Sequence, residues 1–394
     1  MLQKEFLGVA FAYRYGYNTP MERSLYVHIP FCKRKCIYCN FYSDIYDEVS
    51  AGAYVDVLTN QLNKLDGPFG TIYIGGGTPT ILSPALLKRL MSGLSRFAKP
   101  SVEFTVEANP DSVDETRLKI LSEHGANRIS IGVQSLRDEK LKKLGRIHNV
   151  RRAIESVETA RRAGFSNITI DLIFGVWGEK AADWKGELEE AVRLPVKHIS
   201  CYELTYESST PLFAALQNKT IKVPDTEMSA QMYEMAIDAL SLRDFKQYEV
   251  SNFALKGFES KHNENYWANG AYLGLGASAF SYDGEVRSKN VSDAGEYMRR
   301  VSAGLALCDF SEKLPPEKRA KETAAVKIRT KDGINFGWFK EKTGFDFLTL
   351  EKKALPKLIE DGFIKYLKEK DVVTGICLKR KGFLFCDTVS SGLL

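Results

Sequence analysis

Over the first half of the chain, short apolar runs rich in Val, Ile, Leu and Tyr alternate with longer stretches in which apolar residues recur at helical spacing. The runs at residues 25–29, 71–74, 102–106, 128–131, 168–173 and 198–202 have strand length and composition. Between them, residues 54–65, 84–97, 114–124, 150–163 and 181–192 read as amphipathic helices. Ser83 followed by Pro84, and Asp114, stand where a helix N-cap belongs. Strand and helix repeat about every thirty residues, the length of a βαβ unit with a right-handed crossover. The predicted fold is therefore α/β, with six parallel strands before residue 210.

Polar and glycine-rich residues collect at one end of these strands. A cysteine loop follows the first, Gly75-Gly76-Gly77-Thr78-Pro79 the second, Glu107-Ala108-Asn109-Pro110 the third and Gly132-Val133-Gln134-Ser135 the fourth; Asp171 lies within the fifth, and Tyr202-Glu203 ends the sixth. Barrel-like α/β proteins build their sites at the C-terminal ends of parallel strands, so these segments are expected to share one mouth.

The cysteine loop reads Cys32-Lys33-Arg34-Lys35-Cys36-Ile37-Tyr38-Cys39, a C-x3-C-x2-C pattern. No fourth cysteine or histidine follows closely to complete a tetrahedral zinc site. Three thiolates suit an iron-sulfur cluster, and because a four-iron cluster ordinarily takes four cysteines, one iron is left open to a non-protein ligand. Cys201, Cys308, Cys377 and Cys386 are scattered singly, as buried apolar cysteines are. The triple glycine lacks the following Gly-Lys-Ser/Thr of a phosphate loop, which leaves a plain turn or a close approach to a ligand.

The length of 394 residues allows one large domain and a smaller one, and 44% apolar with 27% charged residues is ordinary for a globular chain. The balance of 55 Lys+Arg against 50 Asp+Glu gives +5 without a basic block, so charge does not argue for nucleic acid. There is no secretory signal and no membrane-length apolar run, and a reducing, cytoplasmic setting is expected.

The same residues resemble the radical S-adenosylmethionine (SAM) family, and within it the anaerobic coproporphyrinogen III oxidase group. Beside the cysteine loop, the likeness rests on residues 25–32, Gly75 to Thr80, Glu107 to Pro110, Gly132 to Ser135 and Leu144-Gly145-Arg146-Ile147-His148, and it returns at Ala324 to Arg329, Asp332 to Ile334 and Lys381 to Leu384. It implies a partial (β/α)6 TIM-like barrel over residues 21–302, a connection at 303–316 and a winged-helix-like α+β domain at 317–394. It also implies a [4Fe-4S] cluster on Cys32, Cys36 and Cys39, with SAM on the open iron. SAM would meet Tyr26, Tyr38, Gly76, Gly77, Thr78, Glu107, Gln134, Arg146 and Asp171.

Within that group, the oxidases carry a further cysteine two residues after the third ligand, where this chain has Phe41. The heme chaperones of the HemW branch lack it and carry H-N-x-x-Y-W, which stands here as His262-Asn263-Glu264-Asn265-Tyr266-Trp267. Heme binding and transfer to acceptor proteins is thus the leading expectation, with His262 a heme-contact candidate by the resemblance; from the residues alone the favoured reading is a loop histidine packed beside Trp267. Coproporphyrinogen oxidation, or another tetrapyrrole modification, is the alternative enzyme reading. A cluster-bearing regulatory module without turnover is the third. No nucleic-acid partner is expected, a homodimer and transient contact with a membrane protein are compatible, and residues 1–20 fall outside the resemblance as a disordered or packed arm.

Overall fold

The structure, a computed structural model, describes residues 23–394, so the expectation for residues 1–20 lies outside the described residues. Strands β1 (Ser24–Ile29), β2 (Thr71–Gly76), β3 (Glu103–Ala108), β4 (Arg128–Gln134), β5 (Asn167–Phe174) and β6 (His198–Glu203) lie side by side in chain order, all parallel. Helices α1 (Glu48–Leu62), α2 (Pro84–Ser95), α3 (Glu115–Glu123), the pair α4 (Asp138–Lys143) and α5 (Val150–Arg162), and α6 (Ala181–Ala191) make the five crossovers. Two of their starts are where the sequence places them. Ser83 Oγ accepts from Leu86 N at 3.4 Å, and the Asp114 carboxylate accepts from Arg117 N at 2.8 Å, each satisfying an otherwise orphaned donor.

Beyond β6 the chain passes through α7 (Pro211–Gln217), α8 (Thr226–Ser241), the short strands β7 (Lys246–Gln247) and β8 (Asn252–Ala254), and α9 (Lys261–Trp267). Strand β9 (Tyr272–Leu275) then returns to the other edge, parallel to β1, and β10 (Phe280–Tyr282) and β11 (Val286–Asn290) extend that edge antiparallel. The expected connection at 303–316 carries an element of its own. Its Cys308–Lys313 stretch forms strand β12, paired with β11, because an antiparallel neighbour offers its backbone a complete ladder. The sheet order is β12-β11-β10-β9-β1-β2-β3-β4-β5-β6-β8-β7, and its two ends do not pair, so the barrel is partial.

Strand periodicity sorts side chains into two populations. Leu25, Val27, Ile72, Ile74, Phe104, Val106, Ile129, Ile131, Ile168, Ile170 and Ile199 are fully buried and join the helices in one core. The alternate positions are polar and bond to neighbours on the adjacent strand: Thr71 Oγ1 donates to Ser24 Oγ at 2.7 Å, and Tyr73 OH donates to Glu107 Oε1 at 2.7 Å. The interior of this barrel is therefore a polar column rather than an apolar fill.

The C-terminal part holds α10 (Ala294–Ser302), which closes against α1, then α11 (Pro316–Lys327), α12 (Phe336–Thr343) and a three-stranded antiparallel sheet in the order β13 (Ile334–Asn335), β15 (Val372–Leu378), β14 (Ile364–Glu369). Helices followed by a hairpin is the order read from the sequence. It is tied to the barrel by Lys331 N donating to Tyr248 O at 2.8 Å, Asn269 Nδ2 donating to Thr323 Oγ1 at 3.0 Å, and Arg380 on Asp238 at 2.7 and 2.8 Å. No helix among the described residues is long and apolar enough to cross a membrane.

Candidate cluster and cofactor site

After β1, Phe31–Cys32 pairs in parallel with Asp44–Ile45, giving the cysteine loop a rigid base. Two backbone bonds pin the end of β2 to it, Gly77 N to Ile29 O at 2.9 Å and Thr78 N to Phe31 O at 2.8 Å. Here the glycines have a structural reason that the sequence did not disclose. A Cβ on Gly77 would stand 2.6 Å from Phe31 O, and one on Gly76, whose φ is +108°, would stand 2.5 Å from the His28 ring. On the other side, Leu212 N of α7 donates to Ile37 O at 3.0 Å, so the loop is held from both flanks.

Cys32, Cys36 and Cys39 are each partly exposed, and none of the seven cysteines forms a disulfide among the described residues. Burial pushes the Cys32 and Cys39 thiols up from their ordinary range. No group of three His, Cys, Asp or Glu side chains among the described residues converges on one ion. A cluster does not ask for that, since each thiolate takes a different iron. An all-sulfur donor set on one short loop, without an adjacent carboxylate or imidazole ligand, fits iron-sulfur ligation better than a lone hard cation.

The strand ends are joined by a chain of hydrogen bonds. Cys32 Sγ lies 3.5 Å from Thr78 Oγ1, which accepts from Asn109 Nδ2 at 2.7 Å. The Arg146 guanidinium donates to Asn109 Oδ1 at 2.5 Å, to Gly132 O at 2.9 Å and to Cys36 Sγ at 3.3 Å. Cys36, Thr78, Asn109 and Arg146 line one small open cavity, with Lys33 and Arg34 at its rim. Asn109 is not marked by sequence pattern alone; its place two residues after Glu107 at the same strand end is the signal the chain carries.

Deeper in the mouth, Glu107 accepts from Tyr73 OH and, at 3.1 Å, from Gly76 N. Burial, with Asp171 adding repulsion, pushes its carboxyl up to about 7. Asp171 is likewise raised by burial, to about 6, against hydrogen bonds from Ser200 and Ser130 that favour its charge. Tyr26 stacks on Tyr73 at 6.1 Å between centroids and its OH meets His28 Nδ1 at 3.1 Å. Gln134 ends β4 with φ +65°, at the centre of a three-residue turn in which Ser135 N bonds Val133 O at 2.8 Å. Tyr38 packs with Leu144, Ile173, Val176 and Leu212 in a separate apolar cluster that walls the loop.

His262 is not with this group. It lies at the opposite, N-terminal end of the barrel, 1% exposed, with Nδ1 2.7 Å from Thr71 Oγ1 and Nε2 3.0 Å from Tyr266 OH. Burial depresses its ring to about 3, so it is neutral with both nitrogens engaged. The structure thus gathers the cysteines and the nine expected SAM residues at or below one mouth and leaves His262 sealed at the floor.

Comparison with known proteins agrees with this arrangement. Residues 26–191 match the radical SAM superfamily. The chain is 37% identical to the Bacillus subtilis heme chaperone HemW over 351 residues, covering 87% of this chain and 92% of that one. It is 36% identical to the mouse mitochondrial radical S-adenosyl methionine domain-containing protein 1 over 80% of this chain and 75% of that one. In fold it is similar to Escherichia coli coproporphyrinogen III oxidase HemN, with a TM-score of 0.80 at 22% identity, covering 94% of this chain and 90% of that one. With a polar mouth built on a three-cysteine loop and a full-length likeness to heme chaperones, the chain belongs to the HemW family of the radical SAM superfamily.

Proposed function

We propose that this protein is a cytoplasmic heme chaperone that binds heme and passes it to acceptor proteins, with Cys32, Cys36 and Cys39 holding a [4Fe-4S] cluster whose fourth iron takes SAM. The observation that carries the reading is the likeness to a heme chaperone over 92% of that protein's length, combined with Phe41 in place of the oxidase cysteine. Phe41 is 64% exposed and offers neither a thiol nor a hydroxyl for porphyrinogen chemistry. When bound, the cluster and SAM supply one-electron cleavage of a carbon-sulfur bond.

The chain's own residues prepare for that pair. Arg146, a permanently charged fork already supported by Asn109 and Gly132 O, suits a carboxylate. Gln134 and Thr78 offer hydrogen-bonding groups around it, and Gly76 and Gly77 keep the β2 end close to the cysteine loop. Glu107 and Asp171 ionise near neutral pH, where they complement a cationic sulfonium and its ribose. Tyr26 and Tyr38 supply aromatic walls. The apolar cluster under α7 shields the loop from water on one side.

The deciding experiment incubates the anaerobically reconstituted protein with SAM, reductant and coproporphyrinogen III, and in parallel with hemin and an apo-hemoprotein. The expected result is hemin binding and transfer without protoporphyrinogen formation. Porphyrinogen turnover with no hemin affinity overturns the reading in favour of the oxidase.

A further inference from the structure

A buried ionic cluster stands behind the mouth, where α4 and α6 meet the ends of β4 and β5. Gln134 is the one non-glycine residue of strands β1 to β6 with a positive φ, +65°, and the ladder to β5 shifts register between Ile131 and Gln134. A glutamine in the left-handed region is strained, and such a conformation persists only where its surroundings over-determine it. The turn has a consequence for the mouth. A Cβ on Gly132 would stand 2.8 Å from Gln134 Nε2, 3.0 Å from Asn109 Oδ1 and 3.7 Å from the Arg146 guanidinium, so the Gln134 amide folds back beside two groups that line the cavity.

What over-determines the turn is Glu187, on α6. Its side chain is fully buried, and its Oε1 accepts from the Ser135 hydroxyl and, at 2.6 Å, from Leu136 N, the two residues that follow Gln134. Ser135 Oγ in turn accepts from Arg137 N at 3.0 Å. The other oxygen, Oε2, takes the Lys140 ammonium of α4 at 2.7 Å, and Lys140 is shared with Glu179. Glu179 reaches the end of β5, where its Oε2 accepts from Val176 N at 3.0 Å. The Lys140 and Glu179 side chains are themselves only 7% and 3% exposed. Burying two carboxylates and an ammonium is costly, and apolar residues of similar volume often pack as well, so the cluster is weak grounds for stability. A turn that must hold one disfavoured shape gives it a reason, because charge-assisted hydrogen bonds are directional and apolar contacts are not.

We propose that Glu187, with its charge balanced by Lys140 and shared with Glu179, is a positioning residue for SAM: it clamps the turn after β4 so that the Gln134 amide faces the mouth. The proposal rests on the reading that SAM occupies the mouth with Gln134 among its contacts. Glu187 is sealed behind the turn, so it acts on the fraction of molecules in which Gln134 is ready. The SAM dissociation constant rises by the inverse of that fraction.

The test measures SAM binding to the cluster-loaded full chain by equilibrium dialysis, with iron per chain as the control for folding and loading. Glu187→Ala is expected to raise the SAM dissociation constant about tenfold at unchanged iron content. Gln134→Ala is expected to weaken SAM by itself, and adding Glu187→Ala to it should weaken SAM no further, a non-additivity that a general loosening of the fold does not produce. If Glu187→Ala takes up no iron, Ser135→Ala decides instead: it removes one of the two donors on Glu187 Oε1 and should weaken SAM about threefold. Wild-type affinity in the deciding variant, or the full Glu187→Ala loss persisting beside Gln134→Ala, overturns the clamp and leaves the SAM reading intact. A cluster-loaded wild type that binds no SAM overturns both.

Discussion

Glu103 and Glu107 stand four residues apart on one face of β3, at the floor and the mouth of the same barrel. Glu103 is 8% exposed, and its carboxylate accepts from Lys261 N at 3.2 Å, from His262 N at 3.1 Å and from Ser260 Oγ at 3.4 Å, with Arg128 3.9 Å away. Three donors and a nearby cation engage both of its oxygens, capping α9 and balancing a buried charge. Glu107 has only one hydroxyl and one amide, and burial holds its carboxyl up near 7. The difference shows how one polar column serves two ends: the floor is satisfied by the chain itself, and the mouth keeps unspent acceptors. Unspent capacity in a recessed site is what a ligand can use.

The comparison breaks most visibly at the cysteine loop. Cys36→Ala should abolish stable cluster assembly, with iron per chain falling from about four to near zero. Iron analysis of the reconstituted variant checks it, and iron held near four per chain would mean that Cys36 is not a ligand.

The two glutamates give the next largest effect. Glu103→Gln should cost about 3 kcal/mol by denaturant unfolding, since it leaves Arg128 as an uncompensated buried charge and weakens the α9 cap. Glu107→Gln should behave in the opposite way. Its folded carboxyl is raised from 4.5 to about 7, so its contribution is fully present below 4.5 and is lost as pH rises through 7. The glutamine variant is spared that loss and should gain up to about 3 kcal/mol on wild type between pH 5 and pH 8. Equal destabilisation of both variants at every pH would erase the distinction.

A smaller effect sharpens the floor. The depressed ring of His262, near 3 in the fold, contributes stability that is present above 6.5 and lost as pH falls from 6.5 toward 3. Lowering the pH from 7.5 to 5 should therefore cost wild type about 2 kcal/mol more than His262→Gln. Identical pH slopes in the two proteins would show that His262 is not sealed as described.

Much of this was legible in the chain. The six strands, their helices and the caps at Ser83 and Asp114 follow from local pattern, because each depends on residues within one turn or one pleat. The cysteine loop and the glycine turn were likewise visible as spacing. Asn109, the link between Thr78 and Arg146, was not, because these two side-chain partners lie 31 and 37 residues away in sequence. Strand β12 was missed for a related reason: its Cys308–Lys313 stretch is exposed throughout, so no buried face marks it, and only the neighbouring edge makes it a strand.

Sequence by itself determined which residues could do chemistry, and in which order they meet the ends of parallel strands. Tertiary structure decided where each one points and how much of its hydrogen-bonding capacity is already spent. His262 is a heme-contact candidate only by resemblance, and Thr71 and Tyr266 occupy both of its nitrogens; Glu107, equally ordinary in sequence, is left with acceptors to spare. Register across the sheet sets those distances, and register belongs to pairs of strands rather than to any one segment of the chain.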